Sequence, residues 1–354
     1  MVETNIQIMQ TLIRCFLVLF LFVSNSEEKT LTDVRGYTAP GWQFVREIFR
    51  KNFESGLETG AAVAIYHQGR LVVDLQGGWA DRAETKIYDQ DTLQLVYSTT
   101  KGVVAVAVAL CVQRGLLDYN APVTKYWPEY GQNGKENTTV ADILSHRAGV
   151  PDDPSYAEYF YNWTAMVNLL EKRKPVWQPG TAQGYHALTY GWLAGELVRR
   201  VDPKKRSIGK FVQEEIADPL GIEFYIGLPD NLEHRVSPLL FDDALPYVNE
   251  TGMRDLEFFN QPLTHRAEIP AGNGICNARS LAKIYSSLLT NIDEKTNSRL
   301  LTEETLRKAL KRISTNDNEI DLTFGFRIPF AMGFMLYDGE YSPLGKLVFG
   351  HSGE

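Results

Sequence analysis

The sequence has few cysteines, no concentrated basic stretch and no apolar run long enough to cross a membrane. Its 354 residues include 3 Cys, and 36 Lys and Arg against 44 Asp and Glu give a net charge of −8. So few cysteines exclude a disulfide-built scaffold. The acidic balance excludes the electrostatic attraction that non-specific nucleic-acid binding needs. The 44% apolar content is that of a globular protein with a sizeable core.

Metal-binding spacings are also absent from the sequence. The six His residues form no His-x-His and no His-x-x-x-His pair. These are the spacings that place two imidazoles on one face of a strand or helix, as zinc hydrolases require. We therefore expect neither a metal ion nor another cofactor.

The N-terminal region is typical of a secretory signal peptide. Arg14 precedes the apolar run 15–23, and the small residues Ser24-Asn25-Ser26 follow it. Because the run is much shorter than the roughly 20 apolar residues of a membrane span, no stable transmembrane anchor is expected. We predict a signal peptide over residues 1–26 and a secreted or secretory-pathway protein, with a signal-anchored form as the alternative.

Glycosylation sequons and the number of cysteines also bear on whether the protein follows the secretory route. Glycosylation sequons begin at Asn137, Asn162 and Asn249 and suit a secretory route. Two cysteines remain after the predicted cleavage, Cys111 and Cys276. The sequence leaves their pairing open, although the apolar surroundings of Cys111 favour a buried free thiol.

Strand and helix patterns predict a mixed fold. A helix is expected over 39–53, followed by a hairpin whose strands, 61–66 and 71–75, are joined around Gly69. The unbroken apolar run 103–112 indicates a helix buried on all sides. Further helices are predicted over 140–146, 188–201, 208–217, 280–290 and 303–312, and further strands over 324–336 and 346–349.

This order predicts an α/β (α+β) architecture in a domain spanning residues 27–354. An antiparallel sheet would be built from the N- and C-terminal segments, about 38–97 and 261–354. A mostly helical region, about 98–260, would be inserted between them.

The candidate nucleophile lies at the start of the buried helix. Ser98 and Lys101 form a Ser-x-x-Lys motif, and residues three apart share one face of a helix. Lys can activate a Ser hydroxyl if burial lowers its pKa, and the positive end of the helix would stabilise an oxyanion. Three other Ser-x-x-Lys matches, at Ser26, Ser207 and Ser280, lack a buried helix. The alternative is that Ser98 is an ordinary helix N-cap followed by Lys101 by chance.

Two further segments complete a recognisable set with this motif. They are 177–196, which contains Tyr185, and the terminal stretch Phe349-Gly350-His351-Ser352-Gly353. With these, the chain from about Gly41 to Glu354 resembles the serine β-lactamase-like family, which includes class C β-lactamases, class VIII esterases and D-amino-acid peptidases. The resemblance implies a β-lactamase/transpeptidase-like fold.

The resemblance also implies roles for individual residues. Ser98 would be the acylated nucleophile, Lys101 its proton partner and Tyr185 the phenol that shuttles protons. His351 would face the pocket on the strand that ends in Gly353. The oxyanion hole would be formed by the backbone N–H groups of Ser98 and Glu354.

The chain departs from this family in two places. Many relatives have Tyr-x-Asn where this sequence has Tyr185-His186-Ala187, so the substrate-binding amide is absent. The family normally continues beyond the His351 motif through further strands and a C-terminal helix. The resemblance therefore implies that a C-terminal segment is missing and that the sequence is a fragment or truncated form.

The sequence thus predicts a serine hydrolase that forms an acyl-enzyme on a small ester, amide or lactam, with esters favoured. One alternative is a catalytically impaired binding or regulatory protein of the same fold, motivated by Ala187. Another is a truncated fragment that does not fold stably. No oligomer interface is readable from the sequence.

Overall fold

The computed structural model describes residues 33–56, 58–81, 83–240, 255–291, 299–314, 316, 318–337 and 348–353. The predicted signal peptide, the sequon at Asn249 and the predicted oxyanion donor Glu354 lie outside these residues. The boundaries predicted for the signal peptide and for the two parts of the domain remain predictions.

The described strands form three sheets. Strands β1–β3 make a three-stranded antiparallel sheet in the order β1-β3-β2, β4–β7 make a mixed sheet in the order β5-β7-β4-β6, and β8 pairs antiparallel with β9. Their bounds are β1 Val34–Thr38, β2 Gly60–His67, β3 Arg70–Gly78, β4 Leu93–Leu95, β5 Phe224–Tyr225, β6 Val236–Ser237, β7 Ile275–Cys276, β8 Met335–Leu336 and β9 Phe349–Gly350.

Helices fill most of the chain between the N-terminal and C-terminal strands. Their bounds are α1 Gln43–Glu54, α2 Thr99–Gln113, α3 Val140–Leu144, α4 Trp163–Lys172, α5 Thr189–Val201, α6 Ile208–Val212, α7 Asp218–Leu220, α8 Asp255–Phe259, α9 Pro262–Arg266, α10 Ala278–Leu289 and α11 Glu303–Ala309. A π-helical turn, Gln213–Ala217, joins α6 to α7, and short 3-10 helices occupy Val123–Lys125, Pro128–Tyr130, Pro154–Tyr159 and Asp230–Arg235.

The N-terminal hairpin and its covering helix form as predicted. Gln68 and Gly69 turn the chain between β2 and β3 with positive φ angles of 52° and 78°, the backbone of a two-residue turn that follows strand twist. Helix α1 places Val45, Phe49 and Phe53 at intervals of four residues, so that all three are buried on one face. They pack on β3, whose Leu75 is fully buried.

The apolar run beginning at Val103 is the predicted all-round buried helix. Helix α2 is buried from Thr99 to Cys111, and α5, α6 and α11 pack against it. Because every face is apolar, no side of the helix can be left in water without losing buried apolar area. The first turn of α2 is consequently held rigidly inside the molecule.

Several predicted boundaries are wrong, each for a local reason. The strand predicted over 324–336 is irregular except for Met335–Leu336, because Gly325 and Gly333 adopt positive φ angles of 74° and 82° and Pro329 cannot donate to a ladder. The helix predicted to reach residue 146 ends at Leu144, since His146 has a left-handed φ of 60°. Strand β1 was not predicted.

Both cysteines of the described chain are buried free thiols, which confirms the expectation for Cys111. Burial raises the pKa of the Cys111 thiol to about 12, so this thiol is not a nucleophile near neutral pH. Among the helices of the residues that the structure describes, none is long and apolar enough to cross a bilayer.

Candidate active site

Ser98 stands at a sharp turn between strand β4 and helix α2. Tyr97, just before it, has a left-handed φ of 43°, which is strained for a non-glycine residue. Ser98 occupies the N-cap position of α2, yet its side chain makes no capping hydrogen bond. Its Oγ instead accepts a hydrogen bond of 2.8 Å from Lys101 Nζ. The hydroxyl is therefore presented to the amine rather than to the helix end.

The first turn of α2 leaves one backbone donor available. The N–H groups of Thr99, Thr100 and Lys101 donate to carbonyls three residues back, at 2.9–3.1 Å. Within the part of the chain that the structure describes, no acceptor is assigned to the Ser98 N–H. A donor at the start of a helix with no protein acceptor is suited to stabilise a developing oxyanion.

Lys101 is fully buried, and burial lowers the pKa of its amine from 10.5 to about 7. The negative charge of Asp152 opposes this shift without cancelling it. Nζ also donates to Ala271 O at 2.8 Å. A neutral amine can keep that bond and still offer its lone pair to the Ser98 hydroxyl, so the geometry suits a general base near pH 7.

Tyr185 lies against the same amine. Lys101 Nζ is 4.8 Å from the centroid of the Tyr185 ring, and the side chain is 8% exposed. Phe330 stacks on the ring at 5.9 Å, and His351 lies 6.2 Å away. The three predicted catalytic side chains, Ser98, Lys101 and Tyr185, are thus brought to one place from two distant parts of the chain.

His351 follows strand β9 and is buried beside Tyr185. Burial, and then the charge of Lys101, lower the pKa of its imidazole to about 3, so the ring is neutral at physiological pH. Nδ1 lies 2.7 Å from Ser352 O, and Nε2 is buried with no hydrogen-bond partner in the described part of the chain. A neutral ring adds no charge that would push the pKa of Lys101 lower.

Comparison with known proteins identifies the family of the chain. Residues 46–354 fit the sequence profile of the beta-lactamase family. The chain belongs to the beta-lactamase family. It is 34% identical over 286 residues to the esterase/beta-lactamase LipL of Mycobacterium tuberculosis, an alignment covering 72% of this chain and 64% of that protein. The chain thus spans less than two thirds of this relative's length.

Solved structures of family members superpose closely on the chain. A family VIII carboxylesterase has a TM-score of 0.80 at 34% identity, covering 90% of this chain and 88% of its own. A penicillin-binding protein homologue from Caulobacter crescentus has a TM-score of 0.78 at 36% identity, covering 91% and 88%. These likenesses confirm the predicted β-lactamase/transpeptidase-like fold.

Four site residues of this beta-lactamase family member were missed by the sequence analysis. Asp152 and Asp321 lie in loops that carry no recognisable pattern, and Ala271 contributes only a backbone carbonyl. His146 lies in the segment Leu144-Ser145-His146-Arg147-Ala148-Gly149, which could have drawn attention to it. Ala187 packs beside the buried cluster of Tyr185, Ile328 and Phe330, so an apolar side chain stands where an amide was expected.

A cavity of about 450 Å³ lies between strand β2 and the residues around β9. Glu58, Tyr285 and His351 are among its lining residues, whereas Ser98, Lys101 and Tyr185 are not. The nucleophile therefore does not open into this cavity.

Across the described ranges, no three His, Cys, Asp or Glu side chains cluster as metal ligands.

Gly353 is a place where the site has no room for a side chain. A Cβ there would lie 2.2 Å from Val96 O and 2.8 Å from Thr99 Oγ1. We expect Gly353→Ala to lower the free energy of unfolding by about 1–3 kcal/mol and any rate of ester hydrolysis by about 100-fold, because the segment must move away from Val96 and Thr99, the residues on either side of the Tyr97-Ser98 turn.

Gly350→Ala is the matched control, since among the described residues its Cβ would meet only Tyr337, at an ordinary 3.7 Å. Thermal unfolding and ester hydrolysis should separate the two variants. Equal behaviour of both would contradict the steric account of Gly353.

Proposed function

We propose that the protein is a serine hydrolase that forms an acyl-enzyme at Ser98 on small ester or amide substrates, with esters preferred over β-lactams. The observation that carries the proposal is the 2.8 Å contact between Ser98 Oγ and a buried Lys101 amine whose pKa is lowered to about 7. A buried amine that is half-neutral near pH 7 is what activation of a Ser hydroxyl needs.

The proposed reaction begins with proton transfer from Ser98 Oγ to neutral Lys101 Nζ. Oγ attacks the ester carbonyl carbon, and the resulting oxyanion is stabilised by the Ser98 N–H. The proton passes to the leaving alkoxide, with Tyr185 beside the amine as the shuttle. The alcohol departs and leaves an ester on Ser98, which a water molecule hydrolyses by the same steps in reverse.

The preference for esters rests on two supports. Ala187 removes the amide that would contact a β-lactam's carboxamide side chain and steady the lysine, so binding of such substrates loses a specific hydrogen bond. The named relatives include an esterase/beta-lactamase and a family VIII carboxylesterase. An alkoxide also leaves a tetrahedral intermediate without the nitrogen protonation that an amide requires.

The test compares short-chain p-nitrophenyl esters with a chromogenic cephalosporin on the purified protein. We expect kcat/KM for the ester to exceed that for the lactam by at least about 100-fold, the discrimination a missing polar contact can produce. Faster lactam turnover would contradict the preference. Binding of either compound without any covalent capture of Ser98 would instead favour the impaired binding protein.

We further propose that the protein follows the secretory route and is glycosylated. Its support is the signal-like N-terminal pattern together with the exposure of Asn137 and Asn162. Asn162 Oδ1 accepts from Ala165 N at 3.0 Å, which leaves its Nδ2 available for a glycan. We expect a mobility shift on endoglycosidase treatment that is lost in the triple variant Asn137→Gln/Asn162→Gln/Asn249→Gln, and secreted wild-type protein without any shift would contradict the proposal.

A further inference from the structure

His146 is a fully buried residue that contacts the Tyr185 segment at both its ends. Its ring Nδ1 accepts a hydrogen bond of 3.1 Å from the His186 N–H, and its backbone carbonyl accepts one of 3.0 Å from the Gly184 N–H. The peptide groups on the two sides of Tyr185 are therefore tied to one residue, which lies forty positions earlier in the chain.

The His146 ring also packs directly on the Tyr185 ring. Their centroids are 4.7 Å apart, and Tyr190 and Phe330 flank the imidazole at 5.0 and 4.4 Å. These rings form the wall against which Tyr185 rests while its face meets Lys101 Nζ. A displacement of His146 would therefore change both the distance of the Tyr185 phenol from Lys101 Nζ and the tilt of its ring.

The contacts fix the tautomer of His146. Because Nδ1 accepts from a backbone N–H, the neutral ring must carry its proton on Nε2. Burial lowers the pKa of this imidazole well below 6.5, and His186, Lys101 and His351 lower it further. The ring is thus neutral, with Nδ1 as the acceptor, and its buried Nε2–H has no hydrogen-bond partner among the described residues.

The opposite side of the segment is held separately. Asp321, which is also fully buried, accepts from the Tyr185 N–H at 3.1 Å, and Thr323 Oγ1 donates to Tyr185 O at 3.1 Å. Tyr185 is therefore fixed from two sides by polar contacts. Phe324 adds a ring contact on this side, with its centroid 5.1 Å from that of Tyr185. On the opposite side a single residue, His146, supplies both the ring contact and the backbone hydrogen bonds.

We propose that His146 is a positioning residue that holds Tyr185 in place for proton transfer, acting through the hydrogen bond from the His186 N–H to its Nδ1. The inference deepens the proposed function and rests on it. Because His146 is buried and would act through Tyr185, it should affect the turnover rate and leave substrate binding nearly unchanged.

The test uses two substitutions of the same shape. His146→Asn keeps an acceptor near the Nδ1 position and tolerates the left-handed backbone, whereas His146→Leu matches the shape of Asn without an acceptor. We expect His146→Asn to keep kcat within about threefold of wild type and His146→Leu to lose about 100-fold, with KM changed by less than about threefold in both. His234→Leu, at an exposed histidine, is the control and should leave kcat unchanged.

A double variant separates positioning from general damage. If His146 acts through Tyr185, His146→Leu should cost less than about threefold when added to Tyr185→Phe, because the group it positions is already gone. Rates are divided by the amount of protein that a fluorophosphonate labels at Ser98, so that loss of folded protein is not counted as loss of rate.

The measured losses in kcat either support or overturn the positioning role of His146. Equal losses in His146→Asn and His146→Leu, or an undiminished loss in the Tyr185→Phe background, would overturn it. If His146→Leu does not fold, His146→Ala replaces it. If neither folds, a loss above about 30-fold in His146→Asn overturns the inference and a smaller loss supports it. Absence of ester turnover in wild-type protein would instead overturn the proposed function.

Discussion

Replacing Ser98 by Ala is expected to abolish ester hydrolysis, lowering kcat by at least about 10⁴-fold. The hydroxyl is the atom that would become acylated, and nothing else on the first turn of α2 can substitute for it. The other two hydroxyls of this turn are buried: Thr99 Oγ1 lies against Gly353, and Thr100 Oγ1 donates to Tyr97 O. Steady-state hydrolysis of a p-nitrophenyl ester measures the effect.

The control is to show that the Ser98→Ala variant is as stably folded as wild type. Ser98 makes no capping hydrogen bond. Ser98→Ala does remove the hydrogen bond from Lys101 Nζ, but that amine keeps its bond to Ala271 O. We expect the thermal unfolding of the variant to stay within a few degrees of wild type, as for a substitution outside the core. Retention of more than about 1% of the wild-type kcat in folded Ser98→Ala would show that the acyl-enzyme forms elsewhere or not at all.

Lys101→Met is expected to lower kcat/KM by about 10³-fold, because the neutral amine that accepts the Ser98 proton is lost. In wild-type protein, kcat/KM should rise with pH through about 7, the pKa of buried Lys101, since only the deprotonated amine can act as base. The variant should lack this rise. A pH–rate profile from about 5.5 to 9 measures both effects.

The lowered pKa of Lys101 should also change how the free energy of unfolding depends on pH. The unfolded chain keeps a proton on Lys101 up to about pH 10.5, whereas the folded chain loses it above about 7. Between these values the unfolded state binds more protons, so Lys101 makes the free energy of unfolding rise with pH. Denaturant titrations at pH 7 and 10 should show a smaller rise in Lys101→Met than in wild type.

Lys135 provides a matched control for Lys101. It is equally buried, and burial lowers its pKa to about 8. Its Nζ donates to the carbonyls of Gln132, Glu171 and Arg173, away from the nucleophile. Lys135→Met should therefore reduce stability while leaving the pH dependence of kcat/KM in place. A rise in kcat/KM that persists in Lys101→Met, or disappears in Lys135→Met, would contradict the role given to Lys101.

The sequence was sufficient for features that depend on local pattern. The unbroken apolar run 103–112 predicts a helix buried on all sides, and the turn at Gly69 predicts a hairpin. The Ser-x-x-Lys spacing likewise places Ser98 and Lys101 on one helix face before any tertiary contact is known. These are consequences of helix and strand periodicity, and the structure bears them out.

The supports of the site depend on contacts between distant segments and have no local pattern. Asp321 accepts a hydrogen bond from the Tyr185 N–H although the two residues are 136 positions apart in the sequence. The Lys101 amine likewise donates to the carbonyl of Ala271, which is 170 positions away. The strand predicted over 324–336 was wrong because of local backbone geometry, since Gly325 and Gly333 adopt positive φ angles. The sequence also did not show that its apolar residue Phe330 is buried against Tyr185 and His146.

The most direct test of the account is fluorophosphonate labelling of the purified protein, mapped by peptide mass spectrometry. The account predicts one label, on the peptide containing Ser98, formed faster as pH rises through about 7 and absent from Ser98→Ala. Folded wild-type protein that takes no label, or takes it on another residue, would contradict the assignment of Ser98 as a nucleophile activated by Lys101.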